Sequence, residues 1–219
     1  LISQIDPHFI YNTINSINYL ARKERCSDII IVNSALISIL QDRLRINDIQ
    51  FTDTIENEMK VVEQYIVIER YKYEGDLKLV WEIDESLYQE QIPKNMIQPL
   101  VEIALFHGLI DEESGELKGQ ITISIREEDG DFVLRVKDDG LGMDEERLQY
   151  VREQIYRPEE RGKRIGLSNI GRRLYYLYGS GDCIRIESRV NEGTTITLRF
   201  KGEYFHTKDG NNVQKNEEI

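Results

Sequence analysis

All fifteen glycines of this 219-residue chain lie at or beyond Gly75, and of its four prolines only Pro7 comes earlier. More than seventy residues without glycine, and with one proline near their start, leave the helical hydrogen-bond ladder almost uninterrupted, so this stretch is predicted to be helical. Its apolar spacing agrees. Ile10, Ile14, Ile17 and Ala21 recur as a stripe expected to face a core, while His8, Asn12, Asn15 and Tyr19 follow the same spacing about 200° around the axis. Pro7 either opens this helix with Asp6 as its cap or interrupts a longer one, and both arrangements leave His8 on the polar face. A second helix is expected over 27–45. A third is capped by Thr52 or Thr54 and runs to about Tyr73, where Glu74-Gly75-Asp76 stops it.

Beyond Gly75 the pattern is mixed. Residues 77–83 alternate as a strand, and a helix follows over 94–108, with Pro93 just ahead of it and Gly108 at its end. Two hairpins are predicted, 120–127 with 131–137 through Glu128-Asp129-Gly130, and 183–190 with 194–201 through Asn191-Glu192-Gly193. Between them lie polar helices over 144–156 and 168–178, and from about Lys208 the chain reads as a solvated tail. Forty acidic against 28 basic residues give a net charge of −12, which argues against an unaided grip on a nucleic acid or an anionic bilayer. Cys26 and Cys183 match neither a zinc site nor a disulfide scaffold, so a reducing compartment is expected. The most apolar window, 28–40, is far shorter than the roughly 20 residues that span a bilayer. With no initiator Met and no leader pattern, the chain reads as a piece of a longer protein.

Four segments carry chemistry. In Val136-Lys-Asp-Asp-Gly-Leu-Gly-Met143 a strand runs into Asp138 and two closely spaced glycines. An ionised Asp there accepts from an exocyclic amine such as that of adenine, and the glycines leave room for the ring; the alternative is a polar turn. Arg164-Ile-Gly-Leu-Ser-Asn169 places a glycine just before a helix start, whose free amides suit phosphate oxygens or merely a serine cap. The segment between them is rich in Arg147, Arg152, Arg157, Arg161, Lys163 and Arg164, a basic lid on an acidic chain or a solvated loop. Glu102 and His107 interrupt an otherwise apolar helix, as a ligand or base or as satisfied polar groups, and His8 is a candidate nucleophile toward phosphorus or a plain surface histidine.

Together these segments resemble the sensor histidine kinases of the LytS type, over nearly the whole chain from Gln4 to about Phe200. Residues Gln4 to Ile17 resemble the phosphoacceptor block, which makes His8 the implied site of phosphorylation. Gln98 to Gly108 is similar to the N box, which brings Glu102 into the implied nucleotide site. Asp138-Asp-Gly-Leu-Gly142 resembles the first glycine box, and Ile165-Gly-Leu-Ser-Asn169 the second. The resemblance therefore implies ATP contacts at Asp138, Gly140, Gly142, Gly166, Leu167, Ser168 and Asn169, with Thr195 of Gly193-Thr-Thr195 supporting Asp138. It implies an α+β chain: a helical dimerisation and phosphotransfer segment over 1–75, then a two-layer α/β sandwich of the Bergerat ATP-binding kind over 76–205, then a polar tail over 206–219. It further implies ATP with Mg²⁺, a homodimer, a response regulator as partner, and a cytoplasmic position beneath a membrane-anchored sensor.

Three positions depart from the family. The Asn that helps to hold Mg²⁺ is Ile103, the basic residue before the histidine is Phe106, and the first glycine of the second glycine box is Arg164. Isoleucine cannot coordinate a hard cation. Two outcomes are therefore expected: an active kinase, or a degenerate kinase serving as a dimerising signalling module. An ATPase using Glu102 as base fits less well, because in gyrase- and MutL-like proteins the catalytic Glu lies four residues before the metal-binding Asn, not beside it.

Overall fold

The computed structural model describes residues 7–23, 26–43, 52–73, 75–110, 115–156, 170 and 183–201. Three helices come first: α1 (Pro7–Arg22), α2 (Cys26–Arg43) and α3 (Ile55–Lys72). The hydroxyl of Thr54 accepts the Asn57 amide at 3.1 Å, so Thr54 is the cap of α3. The isoleucine stripe of α1 is not its buried side. Thr13, Ser16 and Leu20 are buried and Ile17 is partly so, whereas Ile14 and Ala21 are exposed. The side that α1 turns to α2 and α3 is thus small and partly polar; the Ser16 hydroxyl there bonds back to the Asn12 carbonyl at 3.0 Å. In α2, Val32, Ala35 and Ile39 are buried while Ile30, Ile31 and Ile37 face solvent.

The mixed part is built on a five-stranded sheet. Its strands are β2 (Leu77–Ile83), β4 (Gly119–Glu128), β5 (Asp131–Asp138), β6 (Ile184–Arg189) and β7 (Gly193–Lys201), in the order β2-β4-β5-β7-β6. Only β2–β4 is parallel, and its crossover carries α4 (Ile97–Ala104). The β4–β5 turn has Asp129 and Gly130 both at positive φ, the conformation that a two-residue Asp-Gly hairpin requires. Ile121, Ile123 and Ile125 alternate along β4, Phe132, Leu134 and Val136 along β5, and Ile196, Leu198 and Phe200 along β7, all buried. α4 contacts this sheet at β5, and α5 (Glu145–Tyr156) contacts it at β6, giving a two-layer α/β sandwich after a helical segment.

Two features depart from expectation. The helix predicted over 94–108 is α-helical only as far as Ala104; Leu105–Leu109 form a π turn closed by the Ile110 amide on the Leu105 carbonyl at 3.0 Å. A small antiparallel ribbon also joins β1 (Thr52–Thr54) to β3 (Gln91–Pro93), crossing the boundary expected at residue 75. Among the described residues, one buried apolar cluster likewise includes side chains of the first three helices and of the sheet, from Leu20 to Phe200. The helix expected over 168–178, apart from the buried Ile170, and the tail over 206–219 lie outside the described residues.

Candidate functional site

One face of β5 carries the buried row Phe132, Leu134, Val136, which ends in Asp138; on the other face Val133 is buried as well. A carboxyl group thereby occupies a position that the pleat reserves for core side chains, and Asp138 is only 3% exposed. Its Oδ1 accepts the Gly140 amide at 3.0 Å and the Thr194 amide at 3.2 Å, while Oδ2 carries neither of these bonds. Burial pushes this carboxyl above the usual aspartate range, and the two amides oppose that rise.

Two glycines make the approach possible. Gly108, at the π turn, packs so closely on the carboxyl that an added Cβ would lie 2.7 Å from Asp138 Oδ1. Gly142 has φ +63°, and a Cβ there would lie 1.9 Å from the Arg189 carbonyl oxygen. Further bonds fix the loop between them. The Leu141 amide donates to the Gly108 carbonyl at 3.1 Å, and the Met143 amide to the Ser188 hydroxyl at 2.8 Å. That hydroxyl also bonds the Gly193 carbonyl at 3.0 Å and lies 2.9 Å from the Thr194 hydroxyl.

These elements enclose a cavity of about 310 Å³. Ile103, Phe106, His107 and Gly108 form one wall, Leu141, Gly142 and Met143 the loop side, and Arg147 and Val151 of α5 another side; Ile186, Thr194 and Ile196 form the sheet side. Asp138 is the lining carboxylate among the described residues. An apolar slot with one buried carboxylate oxygen suits a flat heteroaromatic ring bearing an amino group. A shallower groove beside it holds Gly140, Asp139, Glu116, Lys118 and Asn191.

Of the residues the sequence pointed to, Asp138 and Gly142 line the cavity, and Gly140 binds the Asp138 carboxylate from the adjoining groove. Two others fall elsewhere. Glu102, half-buried, accepts from the Gln98 amide group at 3.0 Å and is not among the cavity-lining residues; it lies close enough to Tyr65 of α3 to help raise that phenol's pKa. The reason is helical geometry, since adjacent residues point about 100° apart and here it is Ile103 that faces inward. Thr195 is one position out of phase: Thr194 and Ile196 line the cavity, so the alternation of β7 turns Thr195 away, and Thr194 supplies the amide to Asp138. Ser188 carried no sequence signal, but the alternation along β7 points to Thr194. His8 lies in the first turn of α1, with its side chain outside the described residues, as are Gly166, Leu167, Ser168 and Asn169.

Of the basic lid only two members are described. The Arg147 guanidinium lies over the Tyr150 ring at 5.6 Å and lines the cavity. Arg152 instead donates to the Ile186 carbonyl at 2.9 Å and pins α5 to the sheet. The described residues do not fit Mg²⁺. The wall offers Ile103, a side chain with no ligand atom, and no cluster of three or more His, Cys, Asp or Glu side chains capable of holding a metal occurs among the described residues. Among those residues, too, no helix is long and apolar enough to cross a membrane.

Comparison with known proteins agrees with this geometry. Residues 1–77 match the family described as histidine kinase, and residues 89–203 match the family of histidine kinase-, DNA gyrase B- and HSP90-like ATPases. The sensor protein kinase HptS of Staphylococcus aureus, in strains USA300 and NCTC 8325, is 32% identical over 197 residues, 90% of this chain. The chain spans only 36% of the length of those relatives. Among solved structures, the histidine kinase domain of the Erythrobacter litoralis EL346 blue-light activated histidine kinase is similar in fold. It has a TM-score of 0.50 at 16% identity and covers 84% of this chain and 83% of its own. With a histidine kinase segment ahead of an ATPase fold shared with gyrase B and HSP90, this chain belongs to the sensor histidine kinases of the LytS type.

Proposed function

We propose that this chain is the kinase portion of a two-component sensor that transfers the γ-phosphoryl group of ATP to His8 and then to an aspartate of a response regulator. The observation that supports this reading best is the buried Asp138 carboxylate at the base of an apolar slot, with Oδ2 available to an adenine amino group. In the first step an imidazole nitrogen of His8 attacks the γ-phosphorus, the bond to the β–γ bridging oxygen breaks, and ADP leaves as the ring gives up its proton to solvent. In the second, a regulator carboxylate oxygen attacks the phosphorus, the bond between phosphorus and the His8 nitrogen breaks, and the ring takes a proton back from solvent to return to neutral imidazole. Gly166, Leu167, Ser168 and Asn169 belong to this reading as phosphate contacts, and Arg147 and His107 place cationic or hydrogen-bonding groups on the cavity wall. α1 must approach the cavity for in-line transfer, so the reading includes movement of the helical segment. It also includes a homodimer, for which the exposed Ile14, Ile30, Ile31 and Ile37 supply apolar surface, and a cytoplasmic position in a membrane-anchored parent.

A second reading is favoured by one observation. Ile103 faces the cavity where a metal ligand is required, which suits a degenerate kinase that binds nucleotide weakly and acts as a dimerising module. Incubation with γ-labelled ATP and Mg²⁺ separates the two. Acid-labile label on the wild type that disappears in His8→Ala establishes the kinase. Label that appears only after Ile103→Asn establishes degeneracy, and no label on either protein refutes the transfer reading.

A further inference from the structure

Glu58 is a carboxylate with no part in the site described above, yet it is only 4% exposed. It projects from α3 into the start of α4. Its Oε1 accepts the Asn95 amide at 2.6 Å, and its Oε2 accepts those of Met96 and Ile97 at 3.0 and 3.2 Å. Asn95 is at φ +59°, a bend that brings these three successive N–H groups onto one acceptor. Those of Met96, the N-cap, and Ile97 are amides that a helix start leaves without intrahelical partners, and the caps found on other helices here are local, such as Thr54 on α3. α4 has no side-chain cap of its own at Met96. A side chain from the helical segment does that work instead, about forty residues away in sequence.

The far end of α4 is the cavity wall. From Ile97 to Gly108 the helix and its π turn extend roughly 15 Å and present Ile103, Phe106, His107 and Gly108 to the cavity. There is no slack at that end, since the Gly108–Asp138 contact excludes even a methyl group and the Gly108 carbonyl is bonded to the Leu141 amide. A shift of the start of α4 is therefore delivered to the carboxylate and to the glycine loop.

We propose that Glu58 is a positioning residue for the nucleotide cavity: it clamps α4 to α3, so that the placement of the helical segment and the occupancy of the cavity are coupled through one helix. The inference rests on reading the cavity as an adenine-nucleotide site. Coupling of this kind is reciprocal, so nucleotide must also tighten α3.

The test compares the whole 219-residue protein with Glu58→Gln, which keeps the volume but replaces an acceptor oxygen by a donor, and with Thr54→Ala, which loosens α3 without touching α4. ATP affinity is measured by titration, and amide hydrogen exchange is followed with and without ATP. Glu58→Gln is expected to weaken ATP about fivefold or more and to abolish the ATP-dependent protection of α3, while protection of residues 138–143 persists. Thr54→Ala is expected to lower the melting temperature with ATP affinity unchanged. ATP affinity and α3 protection in Glu58→Gln equal to those of Thr54→Ala would mean a plain cap and overturn the proposal. Should Glu58→Gln fail to fold, the wild type decides, because absence of ATP-dependent protection in α3 also overturns it. A wild type that binds no adenine nucleotide instead removes the site reading itself, together with this inference.

Discussion

Replacing Asp138 by Asn should move ligand affinity and intrinsic stability in opposite directions. The amide is nearly isosteric, and its carbonyl oxygen can keep the two bonds from Gly140 and Thr194 that Oδ1 now accepts. The second position, however, changes from an anionic acceptor to an N–H donor that faces the ligand's own amino group. Loss of a hydrogen bond to a charged group is worth about 1.5–3 kcal/mol, or roughly 10- to 150-fold in affinity for ATP or adenosine. Stability follows from the pKa. Burial raises the folded-state value of Asp138 above the unfolded one, so the stability linked to this group is fully present below the unfolded value and is lost as pH rises through the folded value. At neutral pH the ionised carboxylate is on the unfavourable side, and a neutral amide escapes that cost. Unliganded Asp138→Asn should therefore melt at or above the wild-type temperature at neutral pH, with the difference shrinking on acidification. Wild-type nucleotide affinity should fall with decreasing pH, starting above the ordinary aspartate range, and that fall should be missing in the variant. Calorimetric titration and scanning between about pH 4 and pH 8 read both effects. Wild-type affinity in Asp138→Asn would refute the ring-amine role, and a clearly lower melting temperature at neutral pH would refute the burial argument.

Three further outcomes are expected. Gly142→Ala places a side chain at φ +63° and against the Arg189 carbonyl, which costs at least about 1–2 kcal/mol for the backbone alone; chemical denaturation and ATP titration should show both lost stability and a lost site. Thr54→Ala removes the α3 cap and should cost about 1 kcal/mol, seen as a lower urea midpoint with an unchanged slope. Arg147→Ala should weaken ATP more than adenosine, since the guanidinium would meet phosphate and not the ring; equal losses for the two ligands would rule this out.

The strands and both hairpins were legible because their signals are local: alternation along β4, β5 and β7, and Asp129-Gly130 at a two-residue turn. Asp138 was legible for the same reason, as the last member of an alternating row. What escaped depends on relations between elements. β1 and β3 are three residues each, too short to show a period, and exist because they pair with one another. The buried side of α1 is set by what α2 and α3 offer it, so Thr13 and Ser16 are covered while Ile14 is not. Motif resemblance located the helix carrying Glu102 and Ile103 but not its roll about its axis, which decides that Ile103 faces the cavity. The single-position error at Thr195 has a similar origin, because a one-residue offset on a strand exchanges the two faces of the sheet.

The β1–β3 ribbon also bears on how such a chain can be taken apart or recombined. One family match ends at residue 77 and the other begins at residue 89, which invites a cut at the end of the first. A fragment starting at Leu77 would leave β3 without its only ribbon partner and deprive α4 of the carboxylate that satisfies its first amides. It would also uncover the side of α4 on which α3 packs. Exposed strand edges and apolar surface of that kind promote aggregation. A cut within 44–51 keeps α3, the ribbon and the nucleotide fold as one exchangeable unit. Chimeras that swap sensor input between relatives should therefore be joined ahead of Thr52 and not at the glycine that ends the helical sequence.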